Sequence, residues 1–201
     1  MARPAGASGK ETAARARRAA LALFARRGYA AVSMREIASE VGVGAGALYN
    51  HFATKQELLA DLMAAHLEAL IAAWDDSEEA AAPPREALAA FARFHMRYHW
   101  DKADAVFVSY NELRSLEPAN FARVEALRSA YEGRLAGILA AGAASGAFHA
   151  PEPKIAAMSV IAMLTGVTQW YRAEGRLSAA EIEELYIDMV ARAVRPDGGD
   201  A

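Results

Sequence analysis

Residues 33–52 run Ser33-Met34-Arg35-Glu36-Ile37-Ala38-Ser39-Glu40-Val41-Gly42-Val43-Gly44-Ala45-Gly46-Ala47-Leu48-Tyr49-Asn50-His51-Phe52. Ser33 is a good N-cap, and Glu36 stands three places on, where its carboxylate can reach back to the cap. Met34, Ile37, Ala38 and Val41 fall on one helical face, and Ala38 is small enough to let two helices cross closely. Gly42 supplies a turn, Val43 plugs back into the core, and a short second helix follows over about Gly44 to His51. Two short helices joined by a tight glycine turn make a helix-turn-helix.

The surroundings complete a head. A first helix is expected from about Lys10 to Arg27, with Ala13, Ala16, Ala20, Leu23 and Phe24 inward and Gly28 at its end. Thr54, with Glu57 three positions later, opens a long fourth helix whose stripe is Leu58, Leu59, Leu62, Met63, His66, Leu67, Leu70, Ile71 and Trp74. Residues 1–55 hold nine basic side chains and three acidic ones, a balance of +6. The whole chain holds 22 basic and 25 acidic residues, so the remainder carries 13 against 22, or −9. A basic head on an acidic body is the asymmetry expected when one end meets phosphates.

Further helices are expected around Leu88 to Tyr98 and Val106 to Leu113. Others follow over Pro118 to about Leu139, Pro153 to Glu174, and Ser178 to Val194, where Ser178 and Glu181 repeat the capping pattern. The chain is therefore expected to be all-α with about nine helices: a three-helix head and a helical ligand-binding and dimerisation bundle. The boundaries expected are a disordered arm over residues 1–9, a DNA-binding head over 10–54, a body over 55–195 and a disordered tail over 196–201. The 201 residues contain no cysteine, which removes disulfides and thiolate sites and fits a reducing cytoplasm. No signal peptide and no uninterrupted apolar run of roughly 18 residues is present, so no membrane contact is expected. No phosphate-cradling glycine loop, paired carboxylates or nucleophile elbow suggests an enzyme.

From about Lys10 to Leu67 the chain resembles the TetR family of repressors. The matching elements are Phe24, Gly28 and Tyr29, then Ile37, Ala38, Gly42 and Val43, then Leu48, Tyr49, Phe52, Lys55, Glu57 and Leu58. The resemblance implies operator DNA as partner and assigns Arg35 to a base edge, where its fork can hold guanine O6 and N7 together. It assigns Tyr49 to phosphate and places His51 and Lys55 beside the backbone. The start of the recognition helix departs from the usual polar pattern, with Gly44, Ala45, Gly46 and Ala47 there. Thymine-methyl contact, close backbone approach and DNA shape then carry more of the readout, with Asn50 as a further candidate.

In the body, His66, Phe91, Phe94, His95, Tyr98, Phe107, Tyr110, Tyr131 and Trp170 stand on inward stripes, as core or as the lining of an effector site. Met158, Ile161, Ala162, Thr165, Gln169, Tyr186 and Met189 are the candidate homodimer face. His95 and His99 stand four apart, but no third ligand accompanies them, so neither metal nor cofactor is expected. The run Gly142, Gly146-Ala147-Phe148, Met163, Gly166, Trp170-Tyr171, Gly175-Arg176-Leu177-Ser178, Glu181-Ile182 and Tyr186 resembles TetR-type regulators of fatty-acid or sterol breakdown. That resemblance implies a small hydrophobic effector, an acyl-CoA, with Arg93, Arg97, Lys102, Arg128 and Arg172 as candidates for its phosphates. The alternatives are a drug-like or aromatic inducer and, more distantly, a helical adaptor that binds protein alone.

Overall fold

The structure, a computed structural model, describes residues 5–196. Nine α-helices and two short 3-10 turns account for its regular structure, and no strand occurs among the described residues. The helices are α1 (Ala5–Arg27), α2 (Met34–Val41), α3 (Ala45–Tyr49), α4 (Lys55–Asp75), α5 (Pro84–His99), α6 (Ala103–Asn111), α7 (Pro118–Ala144), α8 (Pro153–Trp170) and α9 (Ala179–Ala193). None is long and apolar enough to cross a membrane.

The chain divides into two compact units. The first is residues 1–66 with 104–126, and the second is 67–103 with 127–201. The expected boundary at residue 54 therefore falls inside the first unit, which also takes in most of α6 and the first turns of α7. Helices α4 and α7 each contribute to both units.

In the first unit, α1 and α2 bury Ala16, Ala20, Phe24, Ile37, Ala38 and Val41 beside Leu48 and Phe52. Gly28 ends α1 at φ +79° and Gly42 ends α2 at φ +73°, conformations in which a Cβ is strained. The Ser33 capping box forms as its spacing predicts: the Glu36 amide donates to Ser33 Oγ at 3.3 Å and the Ser33 amide donates to Glu36 Oε2 at 2.8 Å. At α4 the Glu57 amide donates to Thr54 Oγ1 at 3.0 Å, but the Glu57 carboxylate accepts from the Ala53 amide at 2.8 Å, one residue before the cap.

Several helix boundaries differ from the sequence expectation, and α7 runs on to Ala144 rather than ending near Leu139. Helix α1 begins at Ala5, so residues 5–9 of the expected arm are helical, and the first four lie outside the described residues. The His51 ring lies 3.5 Å from where a Gly9 Cβ would stand, so this early turn packs on the head. Helix α8 stops at Trp170, because Tyr171 turns to an extended ψ of 139° and sets its ring 4.6 Å from that of Trp100. Of the expected tail, Pro196 has no regular structure and the remainder lies outside the described residues.

In the second unit α5 packs against α8 and α9. Phe91, Met96, Leu135, Leu139, Leu164 and Val167 are buried there. Glu183, 4% exposed, is the buried acid among the described residues of this unit. It accepts from Arg93 Nε at 3.1 Å and from Arg97 Nε at 2.8 Å, which ties α9 to α5.

Candidate nucleic-acid interface and effector core

A shallow groove on the first unit is lined by residues 30–36 together with Tyr49, Ala53, Thr54 and Lys55. It gathers Arg35, Tyr49 and Lys55, three of the side chains assigned to DNA. Arg35 is exposed and has no ion-pair or hydrogen-bond partner among the described residues. Tyr49 is 52% exposed, unusual for so large a ring. An unengaged guanidinium and a phenol rimming one groove can meet a base edge and a phosphate together.

Lys55 is engaged within the protein as well as lining the groove. Its ammonium donates to the Tyr29 carbonyl at 2.9 Å and the Val32 carbonyl at 2.8 Å, and sits 4.0 Å from the centre of the Tyr29 ring. Two of its three donors hold the α1–α2 loop. His51 stands outside the groove, on the side of Gly9, with its ring 6.4 Å from that of Phe52. Asn50 is exposed at the end of α3. Gly44 and Gly46 are exposed, and a Cβ at either would meet nothing within 4 Å. Ala45 and Ala47 are half-buried. The exposed start of α3 therefore presents backbone and methyl groups.

Several residues that hold the groove in shape were not singled out as functional from sequence. Arg15 donates to the Val41 carbonyl and closes the end of α2. Arg17 pairs with Asp61 at 2.6 Å and lies over the Phe52 ring. Arg27 pairs with Glu36 at 2.9 Å. The bonds from Ser33, helped by Arg27, hold the Glu36 carboxyl down at about 2. Tyr29 is pushed above the usual phenol range, chiefly by burial. Partners such as Asp61 stand 44 positions away and leave no local signal in the sequence.

In the second unit the structure brings Phe91, Phe94, His95, Tyr98 and Tyr131 into one aromatic cluster. The Trp74 ring lies 5.0 Å from Phe91 and 5.4 Å from Phe94, while Phe91 lies 5.3 Å from Tyr131. Inside it, His95 Nδ1 bonds Tyr131 Oη at 2.9 Å and His95 Nε2 bonds Thr165 Oγ1 at 2.9 Å. Both ring nitrogens are thus engaged, and α5, α7 and α8 are tied through one imidazole. His66, Phe107 and Tyr110 belong to the first unit instead, and the last two are substantially exposed. Trp170, also exposed, lies against Tyr186, 6.3 Å between centroids.

The candidate dimer face divides as well. Met158, Ala162, Gln169 and Met189 are exposed and Tyr186 is half-buried, whereas Ile161 and Thr165 face inward. Thr165 is drawn in by its bond to His95. Ile155, Trp170 and Leu185 add to the outward apolar face. Of the five cations considered for effector phosphates, Arg93 and Arg97 are committed to Glu183, and Lys102 bonds the Tyr98 carbonyl and Asp101. Arg172 donates to the Tyr171 carbonyl. Arg128 is half-buried.

Two family models match this chain. Residues 17–62 match the bacterial regulatory proteins of the tetR family, and residues 81–194 match the tetracyclin repressor-like C-terminal domain. The chain is similar to the HTH-type transcriptional repressor KstR2 of Mycobacterium tuberculosis, 29% identical over 182 residues, covering 89% of this chain and 90% of the relative. It is similar to the crystal structure of a tetR-family regulatory protein from Rhodococcus RHA1, with a TM-score of 0.85 and 29% identity, covering 92% and 98% of the two chains. It shares the fold of AibR, solved with isovaleryl coenzyme A and operator DNA, at a TM-score of 0.79 and 23% identity over 89% and 97% of the chains. Both matched models describe regulators rather than enzymes. Together they take in most of the sequence, and the chain belongs to the TetR family of transcriptional regulators.

Proposed function

We propose that this protein is a homodimeric, cytoplasmic repressor that leaves a palindromic operator when a small hydrophobic effector binds its body. The observation that carries the DNA reading is the groove that sets an unengaged Arg35 beside an exposed Tyr49 on a helix-turn-helix. Dimerisation would use the outward apolar face of α8 and α9, with Met158, Ala162, Gln169 and Met189 in it. Two heads so paired meet half-sites roughly 34–36 Å apart, one turn of the duplex. A gel shift on an operator selected from random duplexes tests the reading. Arg35→Ala should weaken specific binding by about 1–3 kcal/mol, and Tyr49→Phe should weaken it less. Undiminished specific binding by both variants would sink it.

The aromatic cluster around Phe91 and Tyr131 is the proposed effector site, and an acyl-CoA is the first candidate. Support comes from AibR, a protein of the same fold that was solved with isovaleryl coenzyme A and operator DNA. Release requires an effector that prefers one of two settings of α4, the helix that carries the head. A thermal-shift screen against acyl-CoAs of graded length, coenzyme A, free fatty acids and hydrophobic aromatics tests this. A ligand at 100 times its Kd stabilises by about 2.7 kcal/mol. Stabilisation by thioesters alone supports a lipid-catabolism sensor. Stabilisation by the aromatics alone replaces it with the other inducer class.

A further inference from the structure

The α1–α2 loop forms one wall of the DNA groove, and it is gripped at its root from a distant part of the chain. Gly28 turns the backbone at φ +79°, and the Tyr29 amide follows it. That amide donates to Glu112 Oε1 at 2.9 Å. The other oxygen of the same carboxylate accepts from Ser115 Oγ at 2.7 Å. Gln56, in the first turn of α4, fastens the same segment a second time. Its Nε2 donates to the Ser115 carbonyl at 2.7 Å, and its Oε1 accepts the Glu117 amide at 3.0 Å. Lys55 binds the Tyr29 carbonyl, so both backbone polar groups of Tyr29 have partners.

Glu112, Ser115 and Glu117 lie in the connection between α6 and α7, and α7 starts at the next residue, Pro118. As one helix, α7 goes on to carry Tyr131, the partner of His95. The groove lining begins one residue beyond Tyr29, at Ala30, and goes on to Ser33 and Arg35. A bond from a backbone amide to a carboxyl oxygen is directional, so it fixes position.

We propose that Glu112 is a positioning residue for DNA binding. With Gln56 it anchors the Gly28–Tyr29 turn to the connection that opens α7, and the groove keeps its DNA-competent shape only while that anchor holds. The inference rests on the DNA-binding reading, and it names the point at which movement of the α6–α7 connection reaches the DNA-facing loop.

The test uses the full chain and a duplex selected by the wild type from random sequence. Operator Kd is measured across a salt series, together with hydrogen exchange at the Tyr29 amide. Glu112→Ala should bind about tenfold more weakly, with an unchanged salt slope because no phosphate contact is lost. Its Tyr29 amide should exchange faster. Glu112→Gln keeps an acceptor for that amide and should stay within about threefold of the wild type. Gln56→Met, with Glu112 intact, should weaken binding by a smaller factor and guards against Glu112→Ala failing to fold. Wild-type affinity in both Glu112→Ala and Gln56→Met would overturn the anchor. So would tighter binding by Glu112→Ala and Glu112→Gln alike, since that is the signature of a carboxylate acting on phosphate through its charge. A wild type that selects no duplex would overturn the DNA-binding reading itself, which is a different result from a wild type that binds and a Glu112→Ala that binds equally well.

Discussion

In the first unit most distant polar bonds end on backbone. Arg15 reaches the Val41 carbonyl, Lys55 the carbonyls of Tyr29 and Val32, Gln56 the Ser115 carbonyl and the Glu117 amide, and Glu112 the Tyr29 amide. In the second unit side chains meet side chains. His95 bridges Tyr131 and Thr165, Glu183 sits between Arg93 and Arg97, and Arg134 clasps Asp75 at 2.7 Å. Backbone anchors fix the shape of loops, which a groove needs if it is to fit a duplex. Side-chain pairs fix how helices register against one another. The first unit should therefore answer to mutation in DNA affinity, and the second in stability.

The largest effect is expected where that second kind of bond is buried. Removing both Arg93 and Arg97 by Ala substitution strands the Glu183 carboxylate, whose side chain is 5% exposed, and should cost about 3–5 kcal/mol in a urea melt at neutral pH. Adding Glu183→Leu to the pair should recover much of the loss, because the charge and its desolvation penalty go together. If the double variant melts within about 0.5 kcal/mol of the wild type, water reaches Glu183 and the contrast between the units is weaker than the geometry implies.

Next comes a packing effect. A Cβ on Gly142 would stand 1.9 Å from the Phe148 ring, which is itself buried. Gly142→Ala should destabilise by about 1–3 kcal/mol, read as a lower Tm, and Phe148→Ala in the same chain should make the added methyl harmless. In the sequence Gly142 stood out only within the run resembling regulators of fatty-acid or sterol breakdown, beyond a helix expected to end near Leu139. Instead it lies inside α7, which runs to Ala144, and its role is to admit a ring.

That difference shows what sequence carried and what it did not. The head was legible because its architecture depends on residue types at short fixed spacings. Ser33 and Glu36 cap, Gly28 and Gly42 take φ above zero, and Thr54 starts α4, each for a reason contained within four residues. The groove followed from these, so Arg35 and Tyr49 came out together. Lys55 was singled out, but nothing local reveals that its ammonium folds onto a loop 23 and 26 positions back. The Glu112 anchor spans 83 positions, and the pairs to Glu183 span 86 and 90. Hydrophobic periodicity placed Phe91, His95 and Tyr131 inward correctly, but it could not say that His95 would find both its partners inside the protein. Nor could it separate Ile161 and Thr165, which face inward, from Met158 and Ala162 on the outward face.

The two capping boxes allow a closer comparison. Ser33 with Glu36 and Ser178 with Glu181 share the same distances, 2.8 and 3.3 Å. Ser33→Ala and Ser178→Ala should each cost about 1 kcal/mol by thermal melting. Only Ser33→Ala should also weaken operator binding, because α2 is eight residues long and begins at the groove. Equal effects on operator affinity would mean that the head responds to global stability rather than to its own caps.

The smallest effect separates cap from ion pair within the same box. The Glu36 carboxyl is lowered to about 2, first by its bonds with Ser33 and then by Arg27. Glu181 is lowered as well, with the Ser178 bonds as the leading cause. A carboxylate depressed in the folded state adds stability that is complete above its ordinary value of 4.5 and is lost as pH falls through about 2. A carboxyl-carbon NMR titration of the wild type should therefore show Glu36 ionised well below pH 4. In Arg27→Ala its midpoint should rise but stay depressed, approaching that of Glu181, since the Ser33 bonds remain. In Ser33→Ala it should rise further. If Arg27→Ala instead returned Glu36 to the ordinary carboxylate range, the ion pair and not the cap would hold that charge. The start of α2 would then depend on salt, and so would the groove it opens.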